Sequence, residues 1–273
     1  MLIDVSQTQS ISTKFEFSFK QKNHTKYDFK TTTKTEYSFE WVENLKQLKE
    51  VQQFRAEQFA NQFGLQFEHG LDQDVYDFGC EHAVLRDKAS GEIVAYTRLK
   101  LFQGHELAQS YSASEFAIEE QLKHLNNIVE IGRTCVHPRH RAGKALSILW
   151  LNLVPKVLWS MKARYLIGCV SVRLEGNEAR AYHTHQYIQQ LGEQQRCSIA
   201  SKQAYIPQAS ETTSLKQGRI PKLFDIYLKM QGKLSTEAYY DQEFNCLDYF
   251  VFVEMNQVLK KMVLKKNTRH IVE

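Results

Sequence analysis

The stretch NNIVEIGRTCVHPRHRAGKALSILW, residues 126–150, restricts the fold more than any other part of the chain. Its first half is rich in β-branched and apolar residues and reads as a strand, and its last part, with Ala145, Ile148 and Leu149, reads as a helix. Between them lies a basic turn. A strand that could be wholly apolar carries Glu130 and Arg133 around Gly132. Side chains three apart on a regular strand point to opposite faces, so one extra residue is needed to bring this pair together. Glycine inside a strand often marks such a bulge, and the bulge is expected at Gly132. Arg139, Arg141 and Lys144 at the start of the following helix oppose its dipole unless an anion sits among them, which points to a phosphate neighbour.

The rest of the chain alternates the same two kinds of element. Leu45, Leu48, Val51 and Phe54 have helical spacing and run to Gly64, a plausible stop. HAVLRDKASGEIVAYTRLKLF reads as a hairpin turning at Asp87, Ser90 and Gly91. Ser112 with Glu115 is expected to form a capping box opening a helix through Leu125. A helix interrupted by Pro155, the apolar strand YLIGCVSV, a helix between Pro221 and Gly232, and a last strand LDYFVFVE follow. The fold class is therefore α/β, or mixed α+β, around one sheet. Three domain segments are expected. Residues 1–35, with three loosely repeated aromatic and threonine-rich stretches, form an extension read as an edge hairpin or tail. Residues 36–255 form the main domain, and 256–273 a basic tail helix whose apolar stripe is flanked by lysines.

Composition excludes several classes. With 42% hydrophobic and 24% charged residues in 273, the chain has ample core and is not disordered. A net charge of +4 is too mild to argue for nucleic acid. Five scattered cysteines without a paired C-x-x-C argue for reduced thiols in a cytoplasmic setting. No apolar run approaches the roughly 20 residues that span a bilayer, and the basic tail reads first as a surface helix with a solvated face and second as a contact for an acidic partner or the inner membrane surface.

Three charged clusters stand where burial or a tight turn is expected: Asp72, Asp74 and Asp77; Arg98 within a strand; and Glu130 with Arg133. The aspartates lack the spacing of a calcium loop, and an acid cluster also suits an amine. His183 and His185 are read as structural, because no third ligand is near. Cys135 is read as a small core residue, and Tyr111, Tyr165 and Tyr187 as packing. No metal is expected.

IVEIGRTCV, HPRHRAGKALSILW and YLIGC together resemble the acyl-binding core of the GNAT acyltransferase superfamily. With DQDVYDFGCEHAVLRDKASGEIVAYTRLKL and IPKLFDIYLKMQGKLSTEAYYDQEFNCLDYFVFV, the match is closer to the ornithine-acyl carrier protein N-acyltransferases, and similar to N-acyl amino acid synthases, over about residues 40–255. The resemblance implies a GNAT-like mixed sheet with a bulged strand, and acyl transfer from acyl carrier protein to the α-amine of an amino acid, ornithine above all. The donor would be the acyl-phosphopantetheine arm, with no cofactor bound permanently. A pattern shared with acyl-homoserine lactone synthases implies a site of Arg55, Asp74, Asp77, Arg98, Glu130 and Arg133. Glu130 is expected as base, Arg98 or Arg133 as carboxylate clamp, Asp74 and Asp77 as ammonium holders, and Asp241 and Asp248 for the far amine.

The pyrophosphate loop departs from the superfamily pattern. Read from Arg141, it puts Lys144 and Leu146 at the small-residue positions; read from His140, it restores Gly143 and Ala145. A donor with one phosphate needs less of that cradle, and an acidic carrier would meet Arg139, Arg141 and Lys144. A lactone synthase, an acetyl coenzyme A enzyme and a carrier- or membrane-docking module without catalysis are the rival readings.

Overall fold

A computed structural model describes residues 36–141, 143–174, 178–209 and 220–258. The N-terminal extension and most of the basic tail lie outside the described residues. In chain order the elements are β1 (Tyr37–Trp41), α1 (Leu45–Phe63), β2 (Glu81–Asp87), β3 (Ile93–Phe102), α2 (Tyr111–Glu115), α3 (Glu119–Leu122), β4 (Ile128–Val136), α4 (Ala145–Pro155) and β5 (Tyr165–Arg173). There follow α5 (Glu178–Gln189), β6 (Arg196–Cys197), β7 (Ala204–Tyr205), α6 (Lys222–Lys229), β8 (Lys233–Ser235), β9 (Ala238–Asp241) and β10 (Cys246–Glu254). The strands form one mixed sheet in the order β1-β2-β3-β4-β5-β10-β8-β6, with β9 on β10 and β7 on β9. The α/β class with a mixed central sheet is as the sequence predicts.

Local chemistry explains the helix that matters most. Asn44 caps α1 by accepting the Gln47 N–H at 3.0 Å, and Gly64 ends it in the left-handed region at φ 76°. Val51, Phe54, Arg55, Ala56 and Phe59 fall on its buried side. Val51, Phe54 and Phe59 pack with Val84, Tyr96 and Phe244 on one face of the sheet. Residues adjacent in sequence, Ala83, Leu85 and Ala95, point the other way and pack against α4, α5 and α6. The α4 helix passes Pro155 by running into a wider π-type turn over Lys156–Ser160.

Three details differ from the expectations. The bulge sits one residue beyond Gly132. Tyr96 is opposite Cys135 and Arg98 is opposite Gly132, so Arg133 and Thr134 together oppose Thr97. The residue in the left-handed region is Arg133, at φ 51°. Second, the helix near residue 112 starts two residues earlier, capped by Ser110, and ends at Glu115, so Glu115 is no partner in a capping box. Third, Gly232 is needed for close packing, since a Cβ there would stand 2.8 Å from the Tyr227 carbonyl oxygen; the left-handed residue is Gln231.

The feature that positions the site is the parting of β4 and β5. These parallel strands are in register only at Ile128/Tyr165, Val129/Leu166 and Glu130/Ile167. Beyond that point β4 stays on β3 to Val136, while β5 stays on β10 to Arg173. No described helix is long and apolar enough to cross a membrane.

Candidate active site

A cavity of about 380 Å³ occupies the gap between β4 and β5. Ile131 to Val136 line it from β4, and Gly168 to Ser171 from β5. Leu146 and Tyr227, which pack on the α4 face of the sheet, line it together with Phe59 and Phe244 from the α1 face. The cavity thus passes through the sheet. On the α4 side it meets Arg141 and Lys222; on the other it meets Tyr111, Asp241 and Asp248.

The bulge places Glu130 and Arg133 in the lining of this one cavity. Each does something specific there. Glu130 is buried, and its two carboxylate oxygens accept the backbone N–H groups of Tyr111 at 3.0 Å and Ser112 at 2.7 Å, at the start of α2. An anion at a helix start gains from those free N–H groups. Each oxygen keeps a further lone pair for a proton or a water.

Arg133 joins a network of three guanidiniums and three carboxylates. Its Nη2 lies 3.0 Å from Asp74, and its Nε lies 3.7 Å from Asp72. Arg98 Nη1 reaches Asp74 at 2.5 Å and Asp77 at 2.6 Å. Arg55 is wholly buried, with Nε 2.8 Å from Asp72, Nη1 2.7 Å from Asp77 and a bond to the Tyr96 hydroxyl at 3.1 Å. Such groups remain ionised inside a protein only when balanced in this way. Burial pushes the Asp77 carboxyl up, but Arg55 and Arg98 outweigh it and hold it well below the usual carboxylate range. Asp74 is lowered too, with Arg98 and Arg133 overcoming its burial. Both carboxylates that the sequence reading assigns to ammonium groups are therefore already engaged by guanidiniums. The Arg133 guanidinium also stacks on Phe244, 4.9 Å from the ring centre, and faces Tyr111 at 5.6 Å.

The basic turn is less convergent. Arg141 lines the cavity and donates its Nε–H to the Val136 carbonyl at 2.9 Å, whereas Arg139, Gly143 and Lys144 are exposed and stand outside the lining. Lys222 ties the start of α6 to this turn by donating to the Gly143 carbonyl at 2.9 Å. Asp241 and Asp248 do come together, on β9 and β10, with Cys246 close enough that one atom of each lies within 4.8 Å. Burial pushes the Asp248 carboxyl up to about 6. His185 is buried in α5 and bonded to the Tyr249 hydroxyl at 3.0 Å.

Lys222, which joins Arg141 in the lining, escaped the sequence reading, and so did the roles of Tyr111 and Glu115. Tyr111, taken as packing, supplies an N–H to Glu130 and a wall of the cavity. Glu115 stands buried beside Asp248. Asp248 is the signal for Glu115, since a carboxyl in the otherwise apolar strand CLDYFVFVE requires a polar partner somewhere.

Residues 54–151 match the acetyltransferase (GNAT) domain family. An L-ornithine N(alpha)-acyltransferase of Rhodobacter capsulatus is 24% identical over 82% of this chain and 92% of its own. One of the same name from Agrobacterium fabrum is 28% identical over 70% of each. A coenzyme A-dependent acyl-homoserine lactone synthase structure, BjaI, superposes with a TM-score of 0.45 at 9% identity, covering 82% of this chain and 86% of that one. A GNAT domain over residues 54–151, a GNAT-like mixed sheet around it, and these sequence relatives together mark the chain as an acyltransferase.

Proposed function

We propose that the chain transfers a fatty acyl group from the thioester of acyl carrier protein to the α-amine of ornithine, giving a lyso-ornithine lipid. The observation that carries this reading is a cavity through the sheet with Arg141 and Lys222 on one side and Glu130, Asp241 and Asp248 on the other. The first side suits the phosphate of a pantetheine arm and the acidic surface of its carrier. The second suits a cationic acceptor. The names of the sequence relatives agree with an ornithine acceptor.

In the reaction the free amine attacks the thioester carbonyl, the new C–N bond forms, and the C–S bond breaks to release the carrier thiol. An ammonium cannot attack, so Glu130 takes its proton, directly or through a water; the thiolate leaving group takes up a proton as it departs. The backbone N–H groups around the bulge stabilise the oxyanion that develops on the carbonyl. Arg133 and Arg98 each hold N–H groups beyond those bonded to aspartate, and with these they bind the acceptor's carboxylate. Asp74 and Asp77, and Asp72 with them, act as positioning residues by fixing those guanidiniums, and Arg55 anchors the set.

The test is incubation of the purified protein with long-chain acyl carrier protein and ornithine, followed by product mass. N-acyl ornithine formed from the carrier thioester supports the reading. A product formed only from acyl coenzyme A, or only with another amine, corrects donor or acceptor, and no acyl transfer to any amine refutes it.

A further inference from the structure

Glu115 has no part in the reaction written above, yet it is placed at some expense. It ends α2, is 3% exposed, and its Oε2 is buried without a hydrogen bond of normal geometry. Burying an ionised carboxyl is strongly disfavoured unless it is neutralised or paired. Its neighbour from β10 is another acid, Asp248, which is 2% exposed. Burial and the charge of Asp248 raise the Glu115 carboxyl well above its ordinary range, which favours a proton shared by the pair. The Arg133 guanidinium, which acts on Asp248, is itself ion-paired with Asp74 and Asp72.

A second cavity, of about 270 Å³, opens beside this pair and shares Tyr111 and Asp241 with the larger one. Glu115, Asp241 and Glu243 supply three carboxyl groups to it, and its described lining holds no lysine or arginine. Tyr111 and Tyr239 give it aromatic walls.

We propose that this acidic cavity receives the ammonium group at the far end of the acceptor's side chain, and that Glu115 is the residue that selects a dibasic amino acid. The inference rests on the N-acyltransfer reading, and it assigns to one subsite the discrimination that reading leaves open. An alkylammonium brings three N–H donors on a thin apolar stem. Those donors match the Glu115 carboxyl, whose own neighbours are Tyr111, Cys169 and Asp248, together with the adjacent carboxyls of Asp248 and Asp241. The stem passes Tyr111 from the larger cavity, where the α-amine meets Glu130. A neutral side chain of equal length leaves the carboxyls unmatched, and sites built this way reject such analogues far more strongly than apolar pockets reject a missing methylene. A divalent metal on Asp241, Cys246 and Asp248 is the competing occupant. The Cys246 thiol is raised well above its usual range by burial and Asp248, which disfavours the thiolate a metal requires.

The experiment compares ornithine with norvaline, its analogue lacking the terminal amine, as acceptors for the full chain and for Glu115→Gln. The wild type is expected to favour ornithine in kcat/KM by about 30-fold or more, and Glu115→Gln to remove about tenfold of that through KM, with norvaline unchanged. Asp241→Asn, which is half-buried, gives the same comparison if Glu115→Gln fails a circular dichroism check of folding. Calorimetric titration with ornithine, norvaline and zinc chloride reads the same preference without turnover. Equal use of both acceptors by the wild type, an undiminished preference in the variants, or displacement of ornithine by zinc at the cluster overturns the subsite. Acyl transfer to norvaline as readily as to ornithine sinks the subsite and leaves the transferase reading standing. Glu115-dependent ornithine binding without any acyl transfer does the reverse.

Discussion

Asp77 joins two buried guanidiniums, and Asp77→Asn tests whether charge balance holds the network together. Its carboxylate accepts from Arg55 Nη1 at 2.7 Å and Nη2 at 2.9 Å, from Arg98 Nη1 at 2.6 Å and from Gln52 Nε2 at 3.3 Å. Asparagine keeps one acceptor and turns the other into a donor facing cations. The cluster would then hold Arg55, Arg98 and Arg133 against Asp72 and Asp74 alone. Leaving a buried charge uncompensated costs about 3–5 kcal/mol. In a chain of this size each kcal/mol lowers Tm by about 2–4 °C, so melting is expected to fall by about 10 °C. Arg98→Met alone unbalances the cluster in the opposite sense. The double variant restores two cations against two carboxylates, and its loss is expected to be smaller than the sum of the single losses by about 1.5 kcal/mol or more. Urea denaturation of all four proteins, followed by tryptophan fluorescence at neutral pH, measures each term. A cost below about 1 kcal/mol for Asp77→Asn, or single losses that add within about 0.5 kcal/mol, would refute the reasoning.

Glu130→Gln is expected to lower kcat by about 100-fold or more, as loss of a general base does, with KM for ornithine changed by less than about threefold; steady-state kinetics with unchanged turnover would remove it as base. Stability should also depend on pH in two opposing windows. Asp248 is raised from 3.8 to about 6 in the fold, so between about pH 4 and 6 the folded chain binds a proton that the unfolded chain lacks. Stability therefore falls as pH rises through that window, with Glu115, raised alongside Asp248, adding to the fall, and Asp248→Asn makes the slope shallower in urea titrations. Asp77, lowered in the fold, contributes stability that is lost as pH falls below about 4. Gly168→Ala would place a Cβ 2.5 Å from the Ile131 carbonyl oxygen, and a loss of about 1–3 kcal/mol in denaturation is the expected result.

The strand, basic turn and helix of residues 126–150 were legible because patterning and turn chemistry are local signals. So was α1, where apolar spacing and a terminal glycine agree. The bulge was legible to within one residue, since glycine announces where a strand can deform. That Arg133 itself takes the left-handed conformation depends on Asp74 and Phe244, which lie far away in the chain and hold it there. The crowding of Asp72, Asp74 and Asp77 was visible, but their partners were not. Arg55 sits four residues from both Val51 and Phe59 on the buried side of α1, and that is the one sequence sign that a guanidinium is carried inward. Glu115 was misread because Ser112 three residues before it imitates a cap. The cap is Ser110, and the free N–H groups near Ser112 go to Glu130 from another strand. Long-range satisfaction of polar groups decided each of these cases.

The sheet carries an internal seam, since β4 and β5 separate after three register pairs. Edges on a protein's rim tempt other chains to add a strand, and natural folds blunt them. Here two edges face each other inside a slot, a shape that suits the proposed donor arm, a slender thread with spaced amides. Such a thread would stitch the halves of the sheet together, making occupancy and stiffness rise as one. Amide exchange along 131–136 and 168–171 is where a bound donor arm would first be felt.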